Sequence, residues 1–233
     1  MDMPQIVYLQ TTTRCNGHCV YCPFDDVYGD RDPIDMTLDD YTGILQWLKD
    51  NNYKDRIGFL LHYEPTMDDR LDDLIDLARE MLPLVTLEAA TNGIIKAPVL
   101  RRFNKVDTVP AGSRTGGTSR AGNVRDCEQI KSRATLRDAP CPIPGETMCI
   151  AANGEVLLCC QDWRHEAVVG TIKDLTAARE TQLSMMPKVR NQSLEICRDC
   201  MAGRTAEEVG DRLGQRFIFN EVIEDEPEKV EEE

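Results

Sequence analysis

The chain has 233 residues, 41% of them hydrophobic, which suits one globular domain or one domain with a small appendage. Its net charge of −14 and the lack of a basic stripe with interleaved aromatic residues argue against nucleic-acid binding. No apolar run reaches the ~18–20 residues of a membrane span. The first residues show neither the basic region nor the cleavage site of a secretion signal, so we expect a cytoplasmic location.

The first half of the chain predicts alternating strands and helices. Apolar, β-branched and aromatic residues predict strands at Gln5–Thr11, Arg56–Tyr63 and Leu84–Ala90, and a short fourth strand at Val106–Val109. Helix-length segments separate the first three strands. An alternation of this kind predicts a parallel sheet with helices packed outside it.

Two amphipathic helices are predicted between these strands. Thr37 is the predicted N-cap of the first helix, which extends to about Lys49. Helical spacing gives each helix one apolar face, made of Leu38, Tyr41, Leu45 and Leu48 in the first and of Leu71, Leu74, Ile75, Ala78 and Met81 in the second. A further short helix is predicted at Pro98–Asn104.

After the fourth strand the alternation stops. Residues 111–123 are rich in Gly, Ser and Thr and predict a linker, and residues 124–138 predict a polar helix. At the other end, residues 221–233 carry eight acids and one lysine. This composition predicts a disordered tail, because such a segment has too little apolar surface to bury.

A β-hairpin is predicted in the last third of the chain. Asn153-Gly154 lies between apolar runs at Thr147–Ala151 and Glu155–Leu158, a strong signal for a tight turn between two strands. Helices are predicted after it, at about 175–186 and 206–213.

Three of the ten cysteines lie in a loop directly after the first predicted strand. Cys15, Cys19 and Cys22 have the spacing C-x3-C-x2-C. Three thiolates hold three corners of a [4Fe–4S] cube and leave the fourth iron open to another ligand, whereas electron carriers with four cysteines leave no such position. The alternative is a zinc site in which His18 or a distant residue is the fourth ligand.

A second group of cysteines follows in the last third. Cys141, Cys159, Cys197 and Cys200 supply four thiolates, a set that suits a fully ligated [4Fe–4S] cluster or a structural zinc ion. Two alternatives stay open, in which Cys149 replaces Cys141 or Cys160 replaces Cys159. The hairpin is expected to bring Cys159 back towards the start of its first strand.

The segment TTTRCNGHCVYCPF resembles the cluster loop of radical S-adenosylmethionine (SAM) enzymes, including the aromatic Tyr21 before the third cysteine. Glu64-Pro65 resembles the end of the family's Gly-Gly-Glu-Pro motif, and Thr91-Asn92-Gly93 resembles its Thr-Asn-Gly motif. In this chain His62 and Tyr63 replace the two glycines. The resemblance implies that the cofactor-binding residues are Tyr21, Glu64, Pro65, Thr91 and Asn92, and that the stretch around Glu64 binds the methionine amino group of SAM.

The cysteines from Cys141 onward resemble the cluster-binding extension called SPASM, or its shorter form, Twitch. No cysteine follows Cys200, so the resemblance favours Twitch with one auxiliary [4Fe–4S] cluster. The expected fold is α/β, a reduced partial (β/α)-barrel-like parallel sheet followed by a small hairpin-plus-helix auxiliary domain. The expected divisions are a truncated core at 1–123, the Twitch-like domain at 124–220 and the tail at 221–233.

The core is short for this family. A six-strand partial barrel needs about 180 residues, because each βαβ step takes roughly 30, yet Gln5 to Pro140 spans only 136. We therefore expect a reduced core, a partner chain that completes it, or a loss of turnover.

The resemblance implies reductive cleavage of SAM to a 5′-deoxyadenosyl radical that abstracts hydrogen from an unknown substrate, in small-molecule oxidation or peptide modification. The implied partners are that substrate and an electron donor such as flavodoxin or ferredoxin. The alternative functions are a cluster-binding or electron-transfer module that has lost turnover and a zinc-stabilised interaction protein.

Overall fold

The computed structural model describes residues 2–19, 22–29, 31–109 and 141–199. The predicted linker and helix between 111 and 138, the predicted helix at 206–213 and the acidic tail lie outside these residues. The predicted division into domains therefore stays a prediction.

A seven-stranded sheet with the order β4-β3-β2-β1-β5-β6-β7 organises the described residues. The first five strands run parallel and the last two pair antiparallel. The strands are β1 (Ile6–Leu9), β2 (Arg56–Phe59), β3 (Thr86–Thr91), β4 (Lys105–Thr108), β5 (Thr147–Ile150), β6 (Glu155–Leu157) and β7 (Val168–Thr171). The predicted α/β class with a mainly parallel sheet and a following hairpin is confirmed.

Seven helices are present in the described part of the chain. They are α1 (Phe24–Tyr28), α2 (Leu38–Asp50), α3 (Leu71–Met81), α4 (Ile143–Glu146), α5 (Leu175–Ser184), α6 (Met186–Arg190) and α7 (Glu195–Asp199). Single 3-10 turns occur at Pro65–Met67, Pro98–Arg102 and Ile172–Asp174.

Helix α2 begins where the sequence predicts. The Thr37 hydroxyl accepts a hydrogen bond from the Asp40 N–H at 3.0 Å, which satisfies one of the unpaired donors of the first turn. The predicted apolar face of α2 is wrong at one position, since Leu38 is 56% exposed and Ile44 is buried in its place. Leu38 is the first residue of the helix.

The second strand and the helix after the hairpin end earlier than predicted. The second strand stops at Phe59 because the chain bends sharply beyond it, with Leu61 at a φ of 153° that L residues rarely adopt. The helix predicted to continue to residue 186 breaks at Met185, and α6 then begins with Pro187 in its first turn. Proline has no N–H to donate, so it fits a helix start but not a helix interior.

The two faces of the sheet carry different side chains. Val7 and Leu9 point to the face that all the longer helices cover, which contains the main hydrophobic core. Alternate residues of a strand point to opposite faces, so Ile6 and Tyr8 lie on the other face. There they form a small cluster with Cys149, Ala151 and Leu157, which we call the open-face cluster.

The hairpin continues the core sheet. β5 pairs parallel with β1 over four residues, from Ile6 opposite Thr147 to Leu9 opposite Ile150. β7, which the sequence did not predict, extends the hairpin by one strand. Gly170 allows β7 to approach α5, since a Cβ at this position would lie 2.6 Å from the Cβ of Ala178.

The fully buried side chain of Arg179 links α5 to the hairpin through hydrogen bonds. Arg179 is 0% exposed, and it donates hydrogen bonds to the carbonyl oxygens of Asp2, Pro144, Gly145 and Thr147 and to the side-chain oxygen of Gln182. Gln182 in turn donates to the carbonyl of Leu158 at 3.1 Å. These two side chains therefore donate hydrogen bonds to backbone carbonyl groups that follow Cys141 and to the one that precedes Cys159.

We predict that Arg179→Met lowers the free energy of unfolding by about 2–4 kcal/mol, because several buried carbonyl groups lose their donor. Urea denaturation followed by circular dichroism measures this. Arg190→Met, at an exposed position of α6, is the control and should change the free energy of unfolding by less than about 0.5 kcal/mol. Equal effects of the two substitutions would contradict the role of Arg179.

Candidate cluster and cofactor site

The loop that follows β1 is fixed by backbone contacts on both sides. The N–H of Thr13 donates to the carbonyl of Ile34 at 2.9 Å, and the N–H of Glu64 donates to the carbonyl of Arg14 at 2.9 Å. The guanidinium of Arg14 forms an ion pair with Asp35 at 2.5 Å. The segment that leads into Cys15 is therefore tied to the chain after α1 and to the end of β2.

The three loop cysteines are half-buried, and Gly17 separates two of them. A Cβ at Gly17 would lie 3.6 Å from the Sγ of Cys19, 3.7 Å from the Sγ of Cys15 and 3.2 Å from the Nδ2 of Asn92. Any side chain at Gly17 would fill the space between the two thiols. The loop thus leaves a cradle bordered by sulfur, which fits an iron–sulfur cluster.

Each thiolate of a cube binds a different iron, so its ligands need not converge on one point. In the ranges that the structure describes, no three His, Cys, Asp or Glu side chains are arranged to hold a single metal ion. Burial raises the pKa of the Cys15 thiol, although the N–H of Gly17 donates to its sulfur. Ligation by Cys15 would therefore release a proton.

His18, the alternative zinc ligand, points away from the cradle. Its side chain is 83% exposed, and its Nδ1 lies 2.8 Å from a carboxylate oxygen of Asp25. This contact raises the pKa of His18.

Glu64 joins the loop that follows β2 to the end of β3. Its carboxylate is 2% exposed. Oε1 accepts hydrogen bonds from the N–H and hydroxyl of Thr66 and from the hydroxyl of Thr91, and Oε2 accepts one from the N–H of Asn92 at 2.7 Å. The four hydrogen bonds are unevenly shared, since Oε1 accepts three of them and Oε2 accepts one.

Asn92 connects β3 to the cysteine loop. Its Nδ2 donates to the side-chain oxygen of Asn16 at 2.8 Å and lies 4.0 Å from the Sγ of Cys15. Pro65, buried, begins the 3-10 turn that carries Thr66. The structure therefore brings Glu64, Pro65, Thr91 and Asn92 together beside Cys15, whereas Tyr21 lies outside the described residues. The sequence analysis missed Thr66, although its position directly after Glu64-Pro65 was a usable signal.

His62, at the first of the two replaced glycines, links the core to the loop after β6. It is fully buried, and its ring stacks on Trp163 with centroids 4.0 Å apart and planes 23° apart. Its Nε2 lies 3.0 Å from the carbonyl oxygen of Cys160. The side chain of His62 thus anchors the segment that carries Cys159 and Cys160.

The later cysteines divide between the two faces of the sheet. Cys141, Cys159 and Cys197 are half-buried against the main core, whereas Cys149 and Cys160 belong to the open-face cluster. Burial raises the pKa of the Cys149 thiol, and the nearby Cys160 raises it further. Cys200 lies outside the described residues.

We predict that His62→Gly speeds hydrogen exchange in residues 159–166 about tenfold, because the aromatic stack and the contact with Cys160 are together worth about 1–3 kcal/mol. Mass spectrometry of peptides from this segment measures the exchange. His18→Gly removes an exposed imidazole and is the control. Unchanged exchange in 159–166 would show that His62 does not anchor the segment.

Comparison with known proteins agrees with this geometry. The model of the radical SAM superfamily matches residues 9–113, and the model of the SPASM iron–sulfur cluster-binding domain matches residues 141–201. No curated protein matches the chain. Among the described residues, no helix is long and apolar enough to cross a membrane.

Two solved structures of the protein BtrN share the fold. The crystal structure of BtrN in complex with AdoMet and 2-DOIA has a TM-score of 0.72 and 19% identity, and it covers 86% of this chain and 94% of BtrN. The structure of selenomethionine BtrN in an open conformation has a TM-score of 0.66 with the same identity and coverage. The BtrN structures show the fold alone, whereas the two family matches show a radical SAM domain over residues 9–113, which implies SAM and a [4Fe–4S] cluster as cofactors, and an auxiliary iron–sulfur domain of the SPASM type over residues 141–201.

Proposed function

We propose that the chain is an oxidoreductase that holds a [4Fe–4S] cluster on Cys15, Cys19 and Cys22. The observation that carries this proposal is the sulfur-bordered cradle at Gly17, directly beside Glu64 and Asn92 at the strand ends. When bound, the cluster supplies the electron that cleaves SAM to a 5′-deoxyadenosyl radical, which removes a hydrogen atom from the substrate.

The side chains at the strand ends have a defined task in this proposal. Oε2 of Glu64, which accepts a single hydrogen bond in the structure, takes a second one from the methionine ammonium group of SAM, a charge-assisted contact. Thr91 and Asn92 hold the carboxylate in place through the hydrogen bonds already described. Pro65 fixes the turn after Glu64, and Tyr21 completes the proposed set of cofactor-binding residues.

Cys141, Cys159, Cys197 and Cys200 are the proposed ligands of one auxiliary [4Fe–4S] cluster. Three of them lie against the same core, while Cys149 and Cys160 face the opposite side of the sheet, which supports this choice over the two alternatives. Such a cluster can accept an electron from the substrate, so that the net reaction is an oxidation. We favour a small-molecule substrate over a peptide because BtrN, which has the same fold, was crystallised with AdoMet and 2-DOIA. Flavodoxin or ferredoxin is the proposed electron donor.

A cluster-binding or electron-transfer module without turnover is the second candidate, since bulky His62 occupies the place of a family glycine. Anaerobic reconstitution with iron and sulfide, followed by reduction and mass spectrometry, separates the two. The enzyme forms 5′-deoxyadenosine from SAM. Full iron loading without 5′-deoxyadenosine would favour the module.

We predict that Cys19→Ala abolishes 5′-deoxyadenosine formation and lowers the iron content from about eight to about four atoms per chain, because one cube loses a ligand and the other does not. Iron analysis and mass spectrometry on the same sample measure both. Cys149→Ala is the matched control, and it should keep about eight irons. If Cys19→Ala still cleaves SAM, the loop is not the site of the reaction.

A further inference from the structure

Two arginine–aspartate pairs lie beside the segment that leads into Cys15. Arg14 pairs with Asp35. The second pair joins Arg70 to Asp68 at 2.9 Å. Asp68 is 3% exposed, and Arg70 donates to both oxygens of its carboxylate. Burial of a carboxylate is costly unless the charge is paired and hydrogen-bonded. The position of Asp68 therefore depends on the position of the Arg70 guanidinium.

The guanidinium of Arg70 joins three segments of the chain. Its Nη1 donates to the carbonyl of Met36 at 2.7 Å, and its Nη2 donates to the carbonyl of Thr11 at 3.1 Å. Thr11 follows β1 on the way to Cys15, and Met36 precedes α2. A guanidinium holds its N–H groups in one rigid plane, so it fixes the directions of all its acceptors. Arg70 thus fixes Thr11 and Met36 relative to the turn that contains Asp68.

The turn between Glu64 and Asp68 is held by its own hydrogen bonds. The N–H of Met67 donates to the carbonyl of Glu64 at 3.0 Å, and the N–H of Asp68 donates to the carbonyl of Pro65 at 3.1 Å. Thr66, inside this turn, donates to the carboxylate of Glu64 through its N–H and its hydroxyl. Because these contacts make the turn one unit, a displacement of Asp68 moves Thr66 and the Glu64 carboxylate with it.

The segment from Thr11 onward leads directly to the proposed cluster. The carbonyl of Thr11 also accepts from the N–H of Met36 at 2.9 Å, which fixes the start of this segment. Further along, the carbonyl of Arg14 accepts from the N–H of Glu64 at 2.9 Å. Arg70 therefore adds a side-chain connection to this backbone connection between the turn after Glu64 and the segment that ends at Cys15.

We propose that Arg70 is a positioning residue for SAM, which sets the place of the Glu64 carboxylate relative to Cys15 through its contacts with Asp68 and Thr11. The proposal rests on the proposed function, in which SAM contacts both Glu64 and the cluster held by the cysteine loop. One ligand can contact both only if their separation is correct, and hydrogen bonds weaken steeply away from their preferred length and angle. Arg70 thus acts on SAM through Glu64, without touching it.

The test is calorimetric titration of the reconstituted protein with SAM but without reductant, so that no turnover occurs. Arg70→Lys keeps a positive charge beside Asp68, but an ammonium group is a point charge and cannot reproduce the planar fork that reaches Thr11 and Met36. We expect the dissociation constant of SAM to rise about three- to tenfold, as the displacement of one charge-assisted hydrogen bond implies.

A double-mutant cycle with Glu64→Gln shows whether Arg70 acts through Glu64. Glu64→Gln keeps the shape of the side chain but removes its charge, and it should by itself weaken SAM binding about tenfold. In the Glu64→Gln protein, Arg70→Lys should change the dissociation constant by less than about twofold, because the contact that Arg70 positions is already weakened. A general loosening of the loop would instead give effects that add.

Arg102→Lys is the matched control. Arg102 pairs with Asp72 and Asp76 of α3, and its side chain is 32% exposed against 36% for Arg70. It should leave the affinity for SAM unchanged. Iron content and circular dichroism verify that each variant is folded. If Arg70→Lys does not fold, Asp68→Asn takes its place with the same expected results, since it removes the charge that orients the guanidinium.

Unchanged affinity for SAM in Arg70→Lys, or additive effects in the cycle, would overturn the positioning role and leave the proposed function standing. If Glu64→Gln alone does not weaken SAM binding, the proposed role of Glu64 fails and the role of Arg70 fails with it. The 5′-deoxyadenosine assay is independent: a cycle with the expected result but no cleavage of SAM by the unaltered protein rejects only the proposed reaction.

Discussion

The buried carboxylate of Glu64 holds the proposed reaction site together. A carboxylate that is removed from water is stable only if donors surround it, and here Thr66, Thr91 and Asn92 supply four hydrogen bonds. These contacts join the loop after β2 to the end of β3, and the N–H of Glu64 also donates to the carbonyl of Arg14 at the start of the cysteine loop. Three segments that are distant in sequence are thereby fixed beside one another.

The two hydrophobic clusters divide the later cysteines into two groups. Cys149, which lies in β5, belongs to the open-face cluster together with Cys160, whereas Cys159 packs against the main core. Cys159 shares that core with Cys141 and Cys197. Arg179 and Gln182 of α5 hold the backbone on both sides of this group, so the proposed auxiliary site is supported by the same helix that covers the hairpin.

The local features of the fold could be predicted from the sequence, but its long-range contacts could not. The Thr37 cap and the apolar faces of α2 and α3 depend on neighbouring residues and are confirmed, apart from Leu38. The parallel pairing of β1 with β5 joins residues about 140 positions apart and has no local signal. The same holds for the stack of His62 on Trp163 and for the contacts of His165 with Tyr28 and Glu155. The cysteine spacings predicted which residues bind clusters, a prediction that still requires iron analysis.

The central claim is that the cube on Cys15, Cys19 and Cys22 has an iron open to SAM while the auxiliary cube does not. Electron paramagnetic resonance of the reduced protein, with and without SAM, tests it most directly. The account predicts two cluster signals, of which one shifts on addition of SAM, and in Cys197→Ala the remaining signal should be the one that shifts. If the remaining signal in Cys197→Ala does not respond to SAM, or if both signals of the unaltered protein respond, the claim is contradicted.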